Sequence, residues 1–333
     1  GKAGCCGPFV EACSLLIRNP ELAKAVLASG LQQAGVGVTN TFLLSVLMAK
    51  IWGQSQSEFN AILGVAINVI SALTGGAFGR FGDSVGRRVA AAVFGAGQFL
   101  PGWILCVLGL GETGLWVSTL SKIVGTIGSS SNTIFALAND VTSFQDREVA
   151  SGVFFAGTNL LVVVLNSIPI LFSDTHIAVL CYQIALNAAY FACLASVKIE
   201  KADTSGEASD DEGSSPGHKE AFEMQGCWQK TVLNPVQLMF CHRRLRRLCL
   251  TGFLLASSST LIMAVCQQYY QNSLGLLPYG TPAQLAKVSL LSTLPGQLMV
   301  LPGFLLTGFL AKQSGTLKLL RQLVPLSAVL TVT

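Results

Sequence analysis

Gln33, Asn40, Ser129, Asn132, Asn159, Asn166 and Gln267 carry hydrogen-bonding side chains in the middle of otherwise apolar stretches. Polar groups there are costly in hydrocarbon, so they turn toward the interior of a helical bundle, where they bind a solute or one another. Their spacing is helical: Gln33, Gly37 and Asn40 share a face with Gln32 adjacent, and Gly152, Asn159 and Asn166 recur every seven residues. Lys122, Thr126, Ser129 and Thr133 form a third stripe, bordered by Asn132, and Ser257, Thr260, Gln267 and Gln268 a fourth. Taken singly, each Ser, Thr or Asn reads as an interhelical tie. Taken together, the four stripes point to a central polar pathway. Lys122 is the one Lys or Arg deep inside such a stretch. It either meets an anionic solute or a carboxylate, or snorkels to the nearer interface.

A different chemistry is concentrated in "GRFGDSVGRR", Gly79 to Arg88, where three arginines and an aspartate crowd between two apolar runs. Gly79 at the end of one run lets another helix approach closely. Asp83 caps free backbone N–H groups or pairs with an arginine one turn on. Gly86 supplies a sharp reversal, and Arg87 and Arg88 meet lipid phosphate. An ordinary basic loop needs the arginines but not this register of Gly, Asp and Gly.

Helices long enough to hold these groups follow from composition. Only 11% of the 333 residues are charged and 51% are hydrophobic, against about 25% charged in an average soluble domain. Apolar runs of about 20 residues recur, the length that crosses ~30 Å of hydrocarbon at 1.5 Å per residue. Expected spans are Ala23–Met48, Phe59–Phe78, Val89–Leu110, Leu115–Leu137, Val149–Phe172, Ile177–Val197, Leu248–Gln268 and Ala286–Leu310, with a ninth from Leu319. Lys and Arg gather in alternate loops: Arg80, Arg87 and Arg88; Arg147; the run from Lys198 to Arg247; and Lys312, Lys318 and Arg321. That asymmetry places the amino terminus and the 199–247 segment in the cytoplasm. Residues 200–226 are polar, acidic and rich in Ser and Gly, the composition of a flexible tether. Ser209, ahead of Asp210, Asp211 and Glu212, is a site for an acid-directed kinase if the tether is more than that. "HRRLRR", 242–247, suits anionic headgroups.

The loop after the eighth run reads "GFLAKQSGTLK". Gly308 and Gly315 are seven apart, as are Gly79 and Gly86, with Lys312 where Asp83 would stand. Equal spacing at equivalent positions suggests a duplicated unit. The 79–88 segment resembles the loop-2/3 signature of the major facilitator superfamily. "DVTSFQDREVASG", with Asp140, Arg147 and Gly152, is similar to that family's loop between spans four and five. A looser similarity points to its tetracycline-resistance-like and hippocampus-abundant-transcript-like branch. The resemblance implies an all-α integral membrane bundle: a first six-span half and an incomplete second half, about eight full spans and part of a ninth. The expected divisions are a cytoplasmic segment 1–18, a first bundle 19–198, a linker 199–247 and a partial second bundle 248–333. It also implies that Gly79, Asp83, Gly86, Arg87, Arg88, Asp140 and Arg147 gate access at the cytoplasmic face.

Family members have twelve spans, so the chain, opening on Gly1 and closing at Thr333 within an apolar run, is expected to be cut at both ends. Span five reads "GTNLLVVVLNSIP" in place of the antiporter G-P-x-x-G-G run, and no Asp or Glu lies mid-span, which argues against proton antiport. The expected function is movement of a small solute by alternating access, with a transport-inactive receptor or scaffold as the alternative. Expected partners are that solute, the lipid bilayer and, for a coupled carrier, an ion; nucleic acid is not among them. The three histidines lie outside the spans and no GxSxG or HExxH occurs, so no enzyme, cofactor or metal site is expected. The ten cysteines are scattered without metal spacing and read mostly as small buried hydrophobes, with Cys5 and Cys6 as palmitoylation candidates.

Overall fold

The computed structural model describes residues 7–52, 62–67, 70–71, 74, 81–125, 127–172, 175–198, 243, 302–313 and 315. Among them all regular structure is helical. Helix α1 spans Gly7–Arg18, α2 Pro20–Val38 and α3 Ser45–Trp52, the last two joined by a π-helical segment, Thr39–Leu44. Then come α4 (Arg87–Leu108), α5 (Glu112–Gly125), α6 (Ser130–Asp140), α7 (Arg147–Ser167) and α8 (His176–Ser196). A further helix, α9, covers 302–313. Three stretches are long and apolar enough to cross a membrane by length and composition: Arg87–Leu108, Phe144–Leu171 and His176–Ser196.

Local chemistry sets the helix ends. Asn19 caps α2, its side-chain oxygen accepting from Leu22 N at 3.1 Å, and Pro20 fills the first turn, where a missing N–H costs nothing. Span one therefore starts three residues ahead of the expected Ala23. Its helix runs on through the π segment, where Ser45 Oγ donates to Asn40 O at 2.7 Å. α4 begins after Gly86, whose φ of 92° is a left-handed conformation that a side chain would strain.

Span four departs from expectation. Leu115–Leu137 is not one helix: α5 stops at Gly125 and α6 restarts at Ser130, capped by Ser129, whose hydroxyl accepts from Asn132 N at 3.2 Å. The residues around the break are small because α4 passes close by. A Cβ on Gly125 would lie 2.6 Å from Gly97 O, and one on Gly128 2.2 Å from Phe94 Cδ1. Gly97 O is the carbonyl that Pro101, lacking an N–H, leaves without its helical partner.

α2 is the central helix, packed mainly on α7 and α8, while α4 holds α5 and α6. Tyr190 on α8 is fully buried. Its hydroxyl donates to Ala91 O on α4 at 2.6 Å and lies 3.0 Å from Ser130 Oγ on α6, and its ring meets Phe99 edge-on. The outward surface is apolar, with Val93 and Val107 exposed at 51% and 82%, as suits a hydrocarbon solvent. The four described cysteines depart from the reading of buried small hydrophobes. Cys13, Cys106 and Cys181 are exposed and Cys193 half-buried, because lipid accommodates a thiol as readily as a core does. Gly79, Gln267, Thr126, Cys5, Cys6, Ser209, nearly all of the 199–247 linker, the seventh and ninth spans and the start of the eighth lie outside the described residues.

Candidate functional site

Two groups of candidate residues come together, at different depths. At one end of the bundle Arg87 is the hub. Its Nη1 donates to Asp140 Oδ1 at 2.8 Å and to Ala136 O at 2.9 Å, and its Nη2 lies 3.5 Å from Asp83 Oδ1. Asp83 is one helical turn before Arg87, so that pair is local. Asp140 ends α6, so that pair ties the helical residues 81–85, the turn at Gly86 and α4 to span four. Arg88 Nη1 donates to Val197 O at 3.1 Å, fastening the same turn to the end of α8. Arg147 takes part in neither tie; its guanidinium lies 5.5 Å from the Phe144 ring centroid.

Beside this hub stands a contact that crosses most of the sequence. Gly152 on α7 and Gly308 on α9 touch: a Cβ on Gly152 would lie 2.7 Å from Phe304 O, and one on Gly308 2.9 Å from Glu148 O. Phe155 stacks on Phe304 with centroids 5.3 Å apart. Lys312 Nζ reaches Glu11 Oε1 at 2.6 Å and Asp146 Oδ1 at 3.5 Å. Hydrogen bonding to Glu11 raises the Lys312 pKa above its ordinary value. Asn139, Arg147, Glu148, Ser151 and Thr307 line a cleft of about 520 Å³ between these helices. Gly152 thus serves helix approach rather than a polar pathway.

Deeper in the bundle, a chain of amides links three spans. Gln32 is buried on α2 and donates to Gln98 Oε1 on α4. Ser131 Oγ donates to Gln32 Oε1 at 2.9 Å, and Gln98 Nε2 to Gly128 O at 3.4 Å, in the span-four break. Gln33, next to Gln32, points toward Ser29 Oγ at 3.5 Å. Asn166 sits against Gly37, where an added Cβ would be 2.8 Å from its Nδ2, and its buried Oδ1 accepts no hydrogen bond among the described residues. These contacts join the stripes of spans one and five and the part of span four around the break.

Other candidates are not gathered in. Asn159 donates to its own helix at Phe155 O, 2.8 Å away, and Asn132 is exposed. Asn40 is half-buried within the π segment. Lys122 is half-buried in the last turn of α5. The break after it means that Lys122, Ser129 and Thr133 do not form one helical stripe.

Sequence reasoning missed Gln98, and also Gln183 and Asn187 on α8. With its amide oxygen turned toward Trp103, Asn187 accepts from the indole Nε1 at 3.1 Å and donates to Gln183 O at 3.2 Å. Gln183 presses on Gly102, and its buried Oε1 accepts no hydrogen bond among the described residues. A polar amide opposite a glycine on a neighbouring span was the available signal.

A helical bundle with apolar outer faces and a buried amide chain is the form of a multi-pass membrane transporter. A family model described as Major Facilitator Superfamily matches residues 25–333, and the chain belongs to that superfamily. It is an integral multi-pass membrane protein of a family that moves small solutes across the lipid bilayer. Comparison with curated proteins and with solved structures returns no match.

Proposed function

We propose that the protein carries a small polar solute by alternating access, with Gln32, Gln33, Gln98, Ser131 and Asn166 lining its path. The observation that carries this reading is the amide chain from Gln98 through Gln32 to Ser131, which joins three spans at mid-depth. Amides donate and accept at once, so they hydrogen-bond a solute without fixing its charge. Lys122, in the last turn of α5 before the same break, adds selectivity for an anionic solute. The Arg87 hub and the Lys312 contacts lie on the cytoplasmic face, where the hub braces the gate and the Lys312 contacts open and close it, so both act on access rather than affinity. Support for that orientation is the one-sided distribution of Lys and Arg.

Uptake of labelled solutes into proteoliposomes tests transport, and no uptake from a broad panel would favour a receptor or scaffold. For an anionic solute, Lys122→Gln should raise Kd by one to two powers of ten, about 1.4 kcal/mol per tenfold. Matched neutral analogues should change far less. Equal effects on both would remove charge selection from Lys122. Thiol reagents applied outside intact cells should reach cysteines introduced at Glu112 and Asp174 and miss those in 200–226. Labelling of that linker in sealed cells would reverse the orientation.

A further inference from the structure

Helix α1 lies outside the transport path and has three faces rather than two. Ala12 is buried with Val149 and Val153, and Leu15, Leu16 and Leu305 pack on the same cluster. That face is fastened to α7 and α9. Glu11, Ser14 and Arg18 form a polar edge, from which Glu11 reaches Lys312. Between these two, at 100° per residue, falls an arc about 100° wide holding Phe9, Cys13, Ile17 and Val10. Nothing among the described residues covers it: Phe9 is 63% exposed, Val10 62% and Ile17 82%.

Other exposed apolar surface lies at the same end. Asp146 shares Lys312 with Glu11, and Phe144, two residues before Asp146, is 83% exposed. Arg147 beside Phe144, and Arg18 on the polar edge of α1, supply positive charge at that level. Apolar side chains beside cationic ones, on a helix adjoining the end of a membrane bundle, suit the boundary between headgroups and acyl chains.

We propose that α1 is an interfacial helix, its Phe9–Val10–Cys13–Ile17 face and Phe144 embedded in the lipid leaflet at the Lys312 end of the molecule. The occupant of the exposed face is lipid, because the face is apolar and belongs to a helix packed on a membrane bundle, and because Lys312 engages the flanking acids Glu11 and Asp146, leaving Arg18 and Arg147 to meet headgroups. Embedding also holds Glu11 at a fixed height against Lys312. The inference does not depend on which solute is carried, or on which side of the membrane that leaflet faces.

Nitroxide labels test it in the full-length chain, placed singly at Phe9→Cys, Cys13, Ile17→Cys, Ser14→Cys and Arg18→Cys with the other cysteines replaced. The protein is reconstituted in phosphatidylcholine–phosphatidylserine vesicles. Labels at 9, 13 and 17 should be relaxed preferentially by oxygen, with an oxygen-to-nickel-complex ratio several-fold above that at 14 and 18. A ratio at 9, 13 and 17 equal to that at 14 and 18 would place the face in water and overturn the proposal. Low accessibility to both relaxants would place it under protein and overturn it as well. If replacing the cysteines weakens the fold, Ile17→Trp in the otherwise unaltered chain gives a second readout. Its fluorescence should be quenched by brominated lipid, and absence of quenching would equally overturn the proposal.

Discussion

At Gly86 and again at Gly315 the backbone enters the left-handed region, with φ of 92° and 80°, each seven residues beyond another glycine. The side chains around the two turns act differently. In the first, Asp83 and Asp140 both engage Arg87, and the described partners of that arginine all lie between residues 83 and 140. In the second, Lys312 stands where Asp83 does and engages Glu11 and Asp146, more than 160 positions away. The first turn is knitted into one bundle; the second spans two distant parts of the chain. The same backbone conformation carries opposite charge at the two turns, and with it a different kind of tie. We propose that the Arg87 hub stays closed through the transport cycle while the Lys312 contacts break and reform.

The largest effect should come from the glycines that let the distant parts meet. Gly152→Leu forces a side chain into backbone on α9, where no rotamer change relieves the clash. Overpacking of this kind costs about 1–3 kcal/mol. Gly152→Leu should abolish most uptake while leaving the four described ties around Arg87 and Arg88 intact, read as unchanged protease protection of the 81–140 region. Normal uptake in this variant would detach the α7–α9 contact from transport.

Charge removal should separate the two turns at smaller magnitude. Asp140→Asn weakens the shorter Arg87 pair, 2.8 Å against 3.5 Å for Asp83, so it should lower thermal stability more than Asp83→Asn does. Both pairs are partly exposed, so each change should be within about 1 kcal/mol. Lys312→Gln should leave the melting temperature nearly unmoved and instead shift the balance of inward- and outward-facing states and the transport rate. None of the three should alter solute affinity appreciably. Equal stability losses from Asp140→Asn and Lys312→Gln would erase the distinction between the turns.

The sequence made the helical membrane class legible, because runs of about 20 apolar residues have few other readings. It also singled out Asp83 and Arg87 in one signature and Asp140 in a second, since charge between two apolar runs is rare and its register is specific. The span-four break was not legible: "GTIGSS" has the hydropathy of a continuing span, and only the close passage of α4 shows why small residues stop the helix there. Gln98 and Gln183 were passed over for a related reason. A single amide in an apolar run carries no period, and its partners, Gln32 and Gly102, lie on other elements or across a helix crossing. Lys312 was noticed as an echo of Asp83, but its partner Glu11 lies 301 residues away, beyond the reach of any local pattern.

The central claim is that α7 and α9 must part for the carrier to work. Ser151→Cys and Thr307→Cys place thiols on the two walls of the cleft between them. A short, reducible bis-thiosulfonate reagent should link them, stop solute uptake in proteoliposomes, and release it again on reduction. Full uptake by protein shown to be crosslinked would contradict the account, because the two helices would then carry out transport without separating.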